Sequence, residues 1–410
     1  MNVIYTILIA FYTIAIHVAA LFNRKAAKWV KGRKGWRSGY RDLLNDRKNL
    51  IWIHCASLGE FEQGRPLIEM FKKKDPATGI IVTFFSPSGF EVMKDWKGAD
   101  NILYLPADLK SNAEDFLDIV RPSMVIFIKY EFWNNYISAI YKRGIPLYLV
   151  SALFRPGQYF FSWYGAFFRK QLKKYTRIFV QDNTSRNLLL SAGITEVVVS
   201  GDTRFDRVAR ISESAKSIPV LEKFRGKEKL FIAGSSWQPD EEIIAEYINE
   251  NPSRMKWVFA PHEIHDSNID RIESLFRTKC VRYSDSKADL ENARVLIIDN
   301  IGLLSSAYGY AAIAEVGGGF GKGIHNTLEP AAWGIPVLFG PDHEKYREAV
   351  ELIAEGGAFS FRTREQFFAI MDRLLSDEKF LLEASGKAAG YVKKNTGVTH
   401  RIIEGIREPG

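Results

Sequence analysis

A glutamate in the first half of the chain stands where a general base would be useful. Glu60 follows the apolar run 50–54 near a predicted helix start, and Gly59 beside it lets a ligand approach the backbone. At a helix start the macrodipole stabilises a carboxylate, which predicts that the pKa of Glu60 is held down. A helix-capping acid and a catalytic carboxylate are both compatible with this position.

Three further charged residues follow apolar runs of the first half. Lys129 and Glu131 come at the end of one run. A charge at the end of a buried strand costs free energy unless it is paired or takes part in function. They predict either an ion pair or a functional site. Arg204 follows the last run and could bind an anionic group through two parallel hydrogen bonds. A salt bridge to Asp202 or Asp206 is the alternative.

The most concentrated local signal is the segment 317–330, which begins with five glycines in seven residues. Such a loop lets backbone N–H groups reach a phosphate at a helix N-terminus, and a tight strand-to-helix connection is the alternative. It is not a P-loop, because Lys322 is followed by glycine rather than Ser or Thr. Glu329, about one turn after Asn326, could accept hydrogen bonds from ribose hydroxyls. His262, after another apolar run, adds a predicted phosphate or base contact.

No metal and no organic cofactor is predicted. The run from His262 to His265 lacks the spacing of a zinc-protease helix, and no Asp-x-Asp pair follows the apolar runs. Cys55 and Cys280 lie in opposite halves without metal-ligand spacing. A disulfide is therefore not expected, and a reducing compartment is.

Short apolar runs alternate with helix-like stretches after residue 48. Runs that are apolar on both faces are typical of parallel strands covered by helices. They predict an α/β fold of two Rossmann-like, doubly wound domains, 49–206 and 229–410, with a linker at 207–228 and a ligand cleft between the domains. The predicted strands are 50–54, 79–84, 101–105, 124–128, 146–150, 177–181, 196–200, 229–233, 256–260, 294–299, 311–316 and 335–339.

The N-terminal segment 1–22 contains no charged side chain, and seven basic residues without an acid follow between Arg24 and Arg37. As a helix, this segment would be about 33 Å long, enough to cross a hydrocarbon core of about 30 Å. Basic residues after an apolar span predict that the rest of the chain lies on the cytoplasmic side. We therefore predict a membrane anchor at 1–22 and a basic juxtamembrane segment at 23–48. Spanning, interfacial insertion and packing on the first domain remain alternatives for the helix.

Composition restricts the class of protein. The chain has 410 residues, 46% hydrophobic and 25% charged, which is typical of a folded protein and excludes wholesale disorder. The formal net charge of +8 could favour binding of nucleic acid, of anionic lipid or of a phosphorylated substrate. Because the basic residues cluster beside an apolar span rather than along a nucleic-acid-binding module, nucleic acid is not predicted as a partner.

Six segments, taken in order, resemble those of the 3-deoxy-D-manno-octulosonic acid (Kdo) transferases. They are HCASLGEFEQGRPLI, FFSPSGFE, KYEFW, GDTRFDR, FAPHE and GIHNTLEPAAWGIPVLFGP. The resemblance implies a GT-B fold and inverting transfer of Kdo from CMP-Kdo to a lipid A precursor, without a metal. It also implies the bacterial inner membrane as the location, with the catalytic domains on its cytoplasmic side and membrane lipids as partners.

The resemblance also implies roles for individual residues. Glu60 matches the general base of the family, and Glu131 and Arg204 match two positions that stabilise the transition state. Arg204 stands where lysine is common, which keeps the charge but changes its geometry. The implied CMP contacts are Pro261, His262, Ile301, Gly302, Leu303, Asn326, Thr327, Leu328 and Glu329.

Two other interpretations of the sequence stay open. One is another GT-B enzyme, such as a UDP-sugar transferase or a UDP-N-acetylglucosamine 2-epimerase. The other is a non-catalytic membrane-surface protein that binds anionic lipid through residues 24–37. The number of Kdo residues transferred, the exact acceptor and the oligomeric state are not determined by the sequence.

Overall fold

The computed structural model describes residues 2–44, 50–214 and 217–406. The chain folds into two compact units, one formed by residues up to 207 together with those from 397 onwards, and one formed by 208–396. Each unit contains a parallel seven-stranded sheet, so the predicted pair of doubly wound α/β domains is confirmed.

The sheet of the first unit has the strand order β3-β2-β1-β4-β5-β6-β7, with all neighbours parallel. Its central strands are buried along their whole length because helices cover both faces, which explains their continuous apolar sequences. The strands are β1 (Leu50–Cys55), β2 (Gly79–Phe84), β3 (Asn101–Tyr104), β4 (Pro122–Ile128), β5 (Leu147–Ala152), β6 (Arg177–Val180) and β7 (Val197–Val199).

The sheet of the second unit has the order β10-β11-β9-β8-β12-β13-β14, again parallel throughout. Its two edge strands, β10 and β14, were not predicted from the sequence. The strands are β8 (Leu230–Ser236), β9 (Lys256–Pro261), β10 (Cys280–Arg282), β11 (Val295–Ile297), β12 (Ile313–Val316), β13 (Val337–Phe339) and β14 (Ala358–Ser360).

Helices connect the strands. Those that begin in the first unit are α1 (Asn2–Ala19), α2 (Arg24–Lys31), α3 (Trp36–Leu44), α4 (Leu58–Lys74), α5 (Pro87–Met93), α6 (Lys110–Val120), α7 (Asn134–Lys142), α8 (Ala166–Leu172), α9 (Asn183–Ser191) and α10 (Arg204–Ser214). The second unit contains α11 (Pro219–Arg225), α12 (Gln238–Glu250), α13 (Asp266–Ser274), α14 (Leu304–Ala307), α15 (Leu328–Ala332), α16 (Arg347–Glu355), α17 (Arg364–Ser376) and α18 (Glu378–Lys394), and α19 (Val398–Gly405) follows.

Each sheet has one topological switch point. In the first sheet β2 and β4 lie on opposite sides of β1, and in the second sheet β9 and β12 lie on opposite sides of β8. Ligands of doubly wound sheets bind beyond the carboxyl ends of the strands at such points. The loops after β1, β4, β8 and β12 are therefore where functional side chains are expected.

The predicted extent of the C-terminal domain, 229–410, is wrong for the end of the chain. The carboxylate of Asp206 in α10 accepts hydrogen bonds from the backbone N–H groups of Gly397 (2.6 Å) and Thr399 (2.5 Å). Val398 and Ile402 of α19 are buried in the core of the first unit. The end of the chain therefore belongs to the first unit. The predicted linker, 207–228, contains the end of α10 and all of α11, and residues 215–216 lie outside the described residues.

The N-terminal helix α1 packs on the first unit along one side only. The Tyr5 hydroxyl donates to the buried carboxylate of Asp108 (2.6 Å), and Tyr12 stacks on Phe85. In the described residues no single helix combines the length and apolarity needed to cross a bilayer. The segments Ile4–Ala19 and Arg24–Lys31, bent by 119°, meet those criteria only as a pair.

Two basic residues of the segment 24–37 make contacts within the first unit. Arg33 is only 9% exposed, donates to the carbonyl oxygens of Leu105 and Phe85, and lies over the ring of Trp29. Arg37 forms an ion pair with Asp115 (2.6 Å). The expectation that all seven basic residues are available to head groups is therefore wrong for Arg33, because its guanidinium is buried. Residues 45–48 of the predicted segment 23–48, and Met1 of the predicted anchor, lie outside the described residues.

Candidate active site

Glu60 lies in the first turn of α4, directly beyond β1. It is part of a capping box: its Oε2 accepts from the backbone N–H of Ser57 (2.8 Å), and the Ser57 hydroxyl accepts from the backbone N–H of Glu60 (3.4 Å). The predicted capping role is therefore present in the geometry. It does not exclude a catalytic role, because a carboxylate has about four acceptor sites and Ser57 uses only part of them.

The pKa of Glu60 is raised, which contradicts the expectation that the helix dipole holds it down. Burial is the largest cause, and the negative charge of Glu131 raises the pKa further. The hydrogen bonds from Ser57 and the charge of His54 oppose both effects without overcoming them. A carboxylate with a raised pKa is a stronger base, which suits proton abstraction better than the predicted depressed value.

Glu131 follows β4 and pairs with a histidine that sequence reasoning did not select. Its Oε2 lies 2.9 Å from Nε2 of His54 in β1 and also accepts from the indole N–H of Trp133. Nδ1 of His54 lies 2.8 Å from the hydroxyl and 3.0 Å from the carbonyl oxygen of Thr83, so the imidazole is held at both of its nitrogens. The predicted partner of Glu131, Lys129, instead lies over the ring of Tyr130.

Arg204 begins α10 and binds Asp202, as the alternative interpretation expected. Its Nε and Nη2 lie 2.9 Å and 2.8 Å from Oδ2 of Asp202, whose carboxylate also accepts from the backbone N–H of Arg204. Asp202 in turn accepts from Gln63 (3.4 Å), a residue of α4 that lies less than one turn after Glu60. Through Asp202, this contact connects Arg204 to the helix that contains Glu60. The connection is needed because Arg204 follows β7, which is an edge strand of the sheet.

Tyr130 interacts electrostatically with several of these charged groups. Burial raises the pKa of its phenol, and the charges of Arg155, Asp202, Arg204 and Glu60 all act on it. The preceding residue, Lys129, has φ +70°, a left-handed conformation that is uncommon for residues other than glycine. The first unit therefore couples Glu60 to Glu131 electrostatically, and connects Arg204 through Asp202 and Gln63 to the helix of Glu60.

In the second unit, the ring of His262 stacks on two aromatic rings that contact each other. Its ring centroid lies 4.6 Å from that of Trp237, which follows β8, and 4.7 Å from that of His325 in the loop after β12. The indole N–H of Trp237 donates to Nε2 of His325 (3.2 Å). The rings join the loops after β8, β9 and β12. Sequence reasoning missed Trp237 because the strand before it was predicted to end three residues early, at 233.

The predicted CMP contacts after β11 and β12 also converge. Oε2 of Glu329 accepts from the Ser305 hydroxyl (2.6 Å) and Oε1 from the Asn326 amide (3.1 Å). Ser305 lies just after the turn 301–303, so Glu329 lies close to that turn. The side chain of Ile301 is 88% exposed.

The remaining predicted contacts differ in exposure. His262 is exposed, and Asn326 and Glu329 are partly exposed, whereas Pro261 is buried. Thr327 and Leu328 are fully buried. Neither residue therefore has surface that a ligand could contact in this structure.

The glycine-rich loop has the structural roles that the alternative interpretation expected. A Cβ at Gly317 would lie 2.4 Å from the carbonyl oxygen of Ser235, so this position has room for glycine only. The backbone N–H of Gly318 donates to Asp240 of α12 (3.1 Å), so it is already used within the protein. Two of the five glycines thus hold the loop against α12 and β8.

Comparisons with known proteins show what this chain is similar to. The model of the family described as 3-Deoxy-D-manno-octulosonic-acid transferase (kdotransferase) matches residues 30–207. The 3-deoxy-D-manno-octulosonic acid transferase of Aquifex aeolicus is 28% identical over 348 residues, 83% of this chain and 90% of that protein. The Haemophilus influenzae protein of the same name is 26% identical over 367 residues, 86% of each.

Among solved structures, UDP-GlcNAc 2-epimerase from Neisseria meningitidis bound to UDP-GlcNAc has a TM-score of 0.63 at 17% identity, covering 87% of this chain and 99% of that one. The fold is therefore that of the two-Rossmann-domain, GT-B class. Within that class, the family model and the relatives agree with the resemblance that the six segments carry. Residues 30–207 match the model of a glycosyltransferase family, the Kdo transferases, and the similarity to the two relatives extends over most of the chain.

Proposed function

We propose that this protein transfers Kdo from CMP-Kdo to a lipid A precursor with inversion at the anomeric carbon. The observation that carries the proposal is the coupling of Glu60 to Glu131 and the contact of Arg204, through Asp202 and Gln63, with the helix of Glu60, in the unit that the family model matches. The names of the two relatives support Kdo as the transferred sugar. CMP as the carrier and lipid A precursor as the acceptor are implied by the family resemblance.

The reaction begins with the acceptor hydroxyl. A hydroxyl is a poor nucleophile until a carboxylate takes its proton, and Glu60 is the proposed base because its pKa is raised. The hydroxyl oxygen forms a bond to the anomeric carbon of Kdo as the bond from that carbon to the CMP phosphate breaks. Positive charge develops on the sugar, which the negative field of Glu131 stabilises, and negative charge develops on CMP, which suits Arg204 and His262.

The second unit is proposed to bind the CMP moiety. Glu329 is proposed to accept from ribose hydroxyls, with its carboxylate oriented by the hydrogen bonds that it receives from Asn326 and Ser305. His262 offers a ring edge to the phosphate or base while Trp237 and His325 hold its plane.

One assay tests the proposed donor and acceptor together. The purified protein is incubated with lipid A precursor and either CMP-Kdo or UDP-N-acetylglucosamine, and products are analysed by mass spectrometry. A product heavier by one or more Kdo residues, formed from CMP-Kdo alone, is expected. Transfer or epimerisation with the UDP-sugar, and none with CMP-Kdo, would establish the rival GT-B activity instead. A protein that binds anionic lipid but neither nucleotide sugar would support the non-catalytic alternative.

Transfer is expected to survive a chelator. In the described ranges 2–44, 50–214 and 217–406, no three His, Cys, Asp or Glu side chains lie close enough together to hold a metal ion. Rates with and without EDTA should therefore agree within about twofold, since a hard cation needs several oxygen ligands. Loss of transfer in EDTA that magnesium or manganese restores would contradict this prediction.

We also propose that α1 and the basic residues after it bind the cytoplasmic face of the bacterial inner membrane. The outward side of α1 carries a stripe of exposed apolar side chains, and Phe22 just beyond it is 88% exposed. Arg24, Lys25 and Lys28 follow and are exposed. An apolar stripe beside cations suits a bilayer interface with anionic lipid. The stripe consists of Ile4, Ile7, Leu8, Phe11, Ile14, Val18 and Leu21.

Point substitutions test this proposal better than deletion, because removal of α1 also removes the partner of Asp108. Changing Leu8, Phe11 and Val18 together to glutamine should weaken partition onto anionic vesicles by about 100-fold or more, since each buried apolar side chain contributes roughly 1.5–3 kcal/mol. The melting temperature and CMP affinity should not change. Leu382→Gln, at a site 65% exposed in the second unit, is the control. A triple variant that still sediments fully with vesicles in high salt would contradict the proposal.

A further inference from the structure

Phe85 directly follows β2, in the segment FFSPSGFE, to which the proposed function assigns no role. Its ring packs on the indole of Trp133, with the two ring centroids 4.8 Å apart. The indole N–H of Trp133 donates to the carboxylate of Glu131, and the indole nitrogen lies 3.2 Å from Nε2 of His54. Phe85 therefore packs against the side chain that hydrogen-bonds to Glu131.

Phe85 is itself held by Arg33, a buried residue of the basic segment 24–37. Nη2 of Arg33 donates to the carbonyl oxygen of Phe85 (2.8 Å). Its Nε and Nη1 donate to the carbonyl oxygens of Leu105 (2.8 Å) and Trp29 (3.1 Å). The guanidinium carbon also lies 5.1 Å from the ring centroid of Phe85. One side chain thus connects the loops after β2 and β3 with α2.

The burial of Arg33 costs free energy, because a guanidinium leaves water. In the part of the chain that the structure describes, Arg33 forms no ion pair with a carboxylate, and its guanidinium contacts carbonyl oxygens and aromatic rings instead. The single nitrogen of a lysine could not reach three carbonyl oxygens that a planar guanidinium spans. This position therefore requires arginine for its geometry as well as for its charge.

The N-terminal helix contacts the same part of the first unit at two points. Tyr12 of α1 stacks on the ring of Phe85, with 6.5 Å between the centroids. Tyr5 donates to Asp108, whose carboxylate also accepts from two backbone N–H groups in the first turn of α7. Since α7 begins directly after Trp133, both contacts connect α1 to the loop between β4 and α7.

We propose that Arg33 and Phe85 are positioning residues, which hold Trp133 and through it the carboxylate of Glu131 in place for transfer. The role of Glu131 in transfer rests on the proposed function. Part of the basic segment thus acts on the active site rather than on lipid. Tyr12 supports the same ring from the helix that is proposed to bind the membrane.

Phe85→Leu tests the inference with little disturbance, because the backbone carbonyl that accepts from Arg33 remains. A misplaced carboxylate stabilises the transition state less, so kcat should fall by about 10–100-fold. Glu131 would also act less on Glu60, whose pKa its charge raises, and the acid limb of kcat/KM should therefore move to lower pH. The inhibition constant of CMP should stay within about twofold of wild type, because the proposed CMP contacts lie in the second unit.

Arg33→Lys keeps the charge without the geometry, so kcat and the acid limb should change in the same directions. Phe380→Leu and Arg177→Lys are the matched controls, and both should leave kcat within about twofold and the acid limb in place. Phe380 lies under a guanidinium in the second unit, as Phe85 does in the first. Arg177 donates to the carbonyl oxygen of Gly405. If Arg33→Lys does not fold, Phe85→Leu decides the question by itself.

A measurement without turnover keeps this inference distinct from the proposed function. The indole N–H signal of Trp133 is assigned in NMR spectra of protein with isotope-labelled tryptophan, by its absence in Trp133→Phe. Its exchange with solvent should be at least about 10-fold faster in Phe85→Leu, because a less well held hydrogen bond opens more often. In Phe380→Leu the exchange should be unchanged.

The outcomes separate the two proposals. If exchange at Trp133 is faster in Phe85→Leu but wild type transfers no Kdo, the proposed function is wrong and the positioning of Trp133 stands. If exchange is unchanged in Phe85→Leu, the inference is wrong whatever the transfer assay shows. If wild type transfers Kdo and Phe85→Leu keeps both its kcat and its acid limb, Phe85 does not position Glu131 and the inference is also wrong.

Discussion

Replacing Glu60 by glutamine is expected to lower the rate of transfer by about 10²–10⁴-fold, the usual contribution of a general base. Glutamine keeps the shape of the side chain, and its carbonyl oxygen can still accept from the backbone N–H of Ser57. The melting temperature should therefore barely change. The affinity for CMP should also be unchanged, because the proposed CMP contacts belong to the second unit.

Two comparisons distinguish the base from a helix cap. Glu60→Ala breaks the capping box and should cost about 1 kcal/mol of unfolding free energy in addition to the loss of transfer. Glu69→Gln, in the same helix and paired with Arg65, is the matched control and should leave transfer intact. A well-folded Glu60→Gln enzyme with near-normal turnover would mean that Glu60 is only a cap.

The dependence of transfer on pH gives a further check on Glu60. A general base must be deprotonated, so kcat/KM should fall as pH drops through the pKa of this carboxyl. Because burial and the charge of Glu131 raise that pKa, the acid limb should lie above the range of an ordinary glutamate.

The second large effect is expected for Glu131→Gln. If Glu131 stabilises the positive charge that develops on the sugar, as proposed, removing its negative charge should reduce kcat by about 10²–10³-fold. The same change removes one of the two causes that raise the pKa of Glu60, so the acid limb of kcat/KM should move to lower pH. The two readouts together test the electrostatic coupling between the glutamates.

A purely structural role of Glu131 predicts a different result. Its carboxylate accepts from Trp133 and contacts His54, so loss of these contacts alone would lower the melting temperature. Trp133→Phe removes one of the contacts and keeps both carboxylates, which makes it the matched control. If Glu131→Gln lowers only the melting temperature, and leaves kcat and the acid limb in place, Glu131 does not act in transfer.

Most of the strands could be predicted because they are central in their sheets. A strand covered by helices on both faces must be apolar at nearly every position, and β2 was predicted with its observed limits. The two strands that were missed, β10 and β14, are the edges of the second sheet and have three residues each. An edge strand has one neighbour and can be partly exposed. The edges of the first sheet, β3 and β7, still have apolar runs and were predicted, whereas Cys280–Arg282 carries little apolar signal.

The sequence predicted those site residues that directly follow a strand, and missed one that lies inside a strand. The glycine-rich loop, Glu60, Glu131 and Arg204 were identified because each follows a strand, which is where doubly wound folds bind ligands. His54 was not selected, since a histidine inside a buried strand carries no periodic or spacing signal. Its contact with Glu131 exists because β1 and β4 are neighbours in the sheet, although 77 residues separate the two side chains.

The sequence by itself determined the α/β class, the two-domain organisation and the resemblance to the Kdo transferases, because these depend on local periodicity and on segments read in order. The tertiary structure alone decided which charges meet. Burial and the negative charge of Glu131 raise the pKa of Glu60. Arg33 is buried against aromatic rings, and hydrogen bonds to Asp206 attach the start of α19 to the first unit. Each of these effects depends on distances between residues remote in the chain, and a pattern of neighbouring residues does not contain such distances.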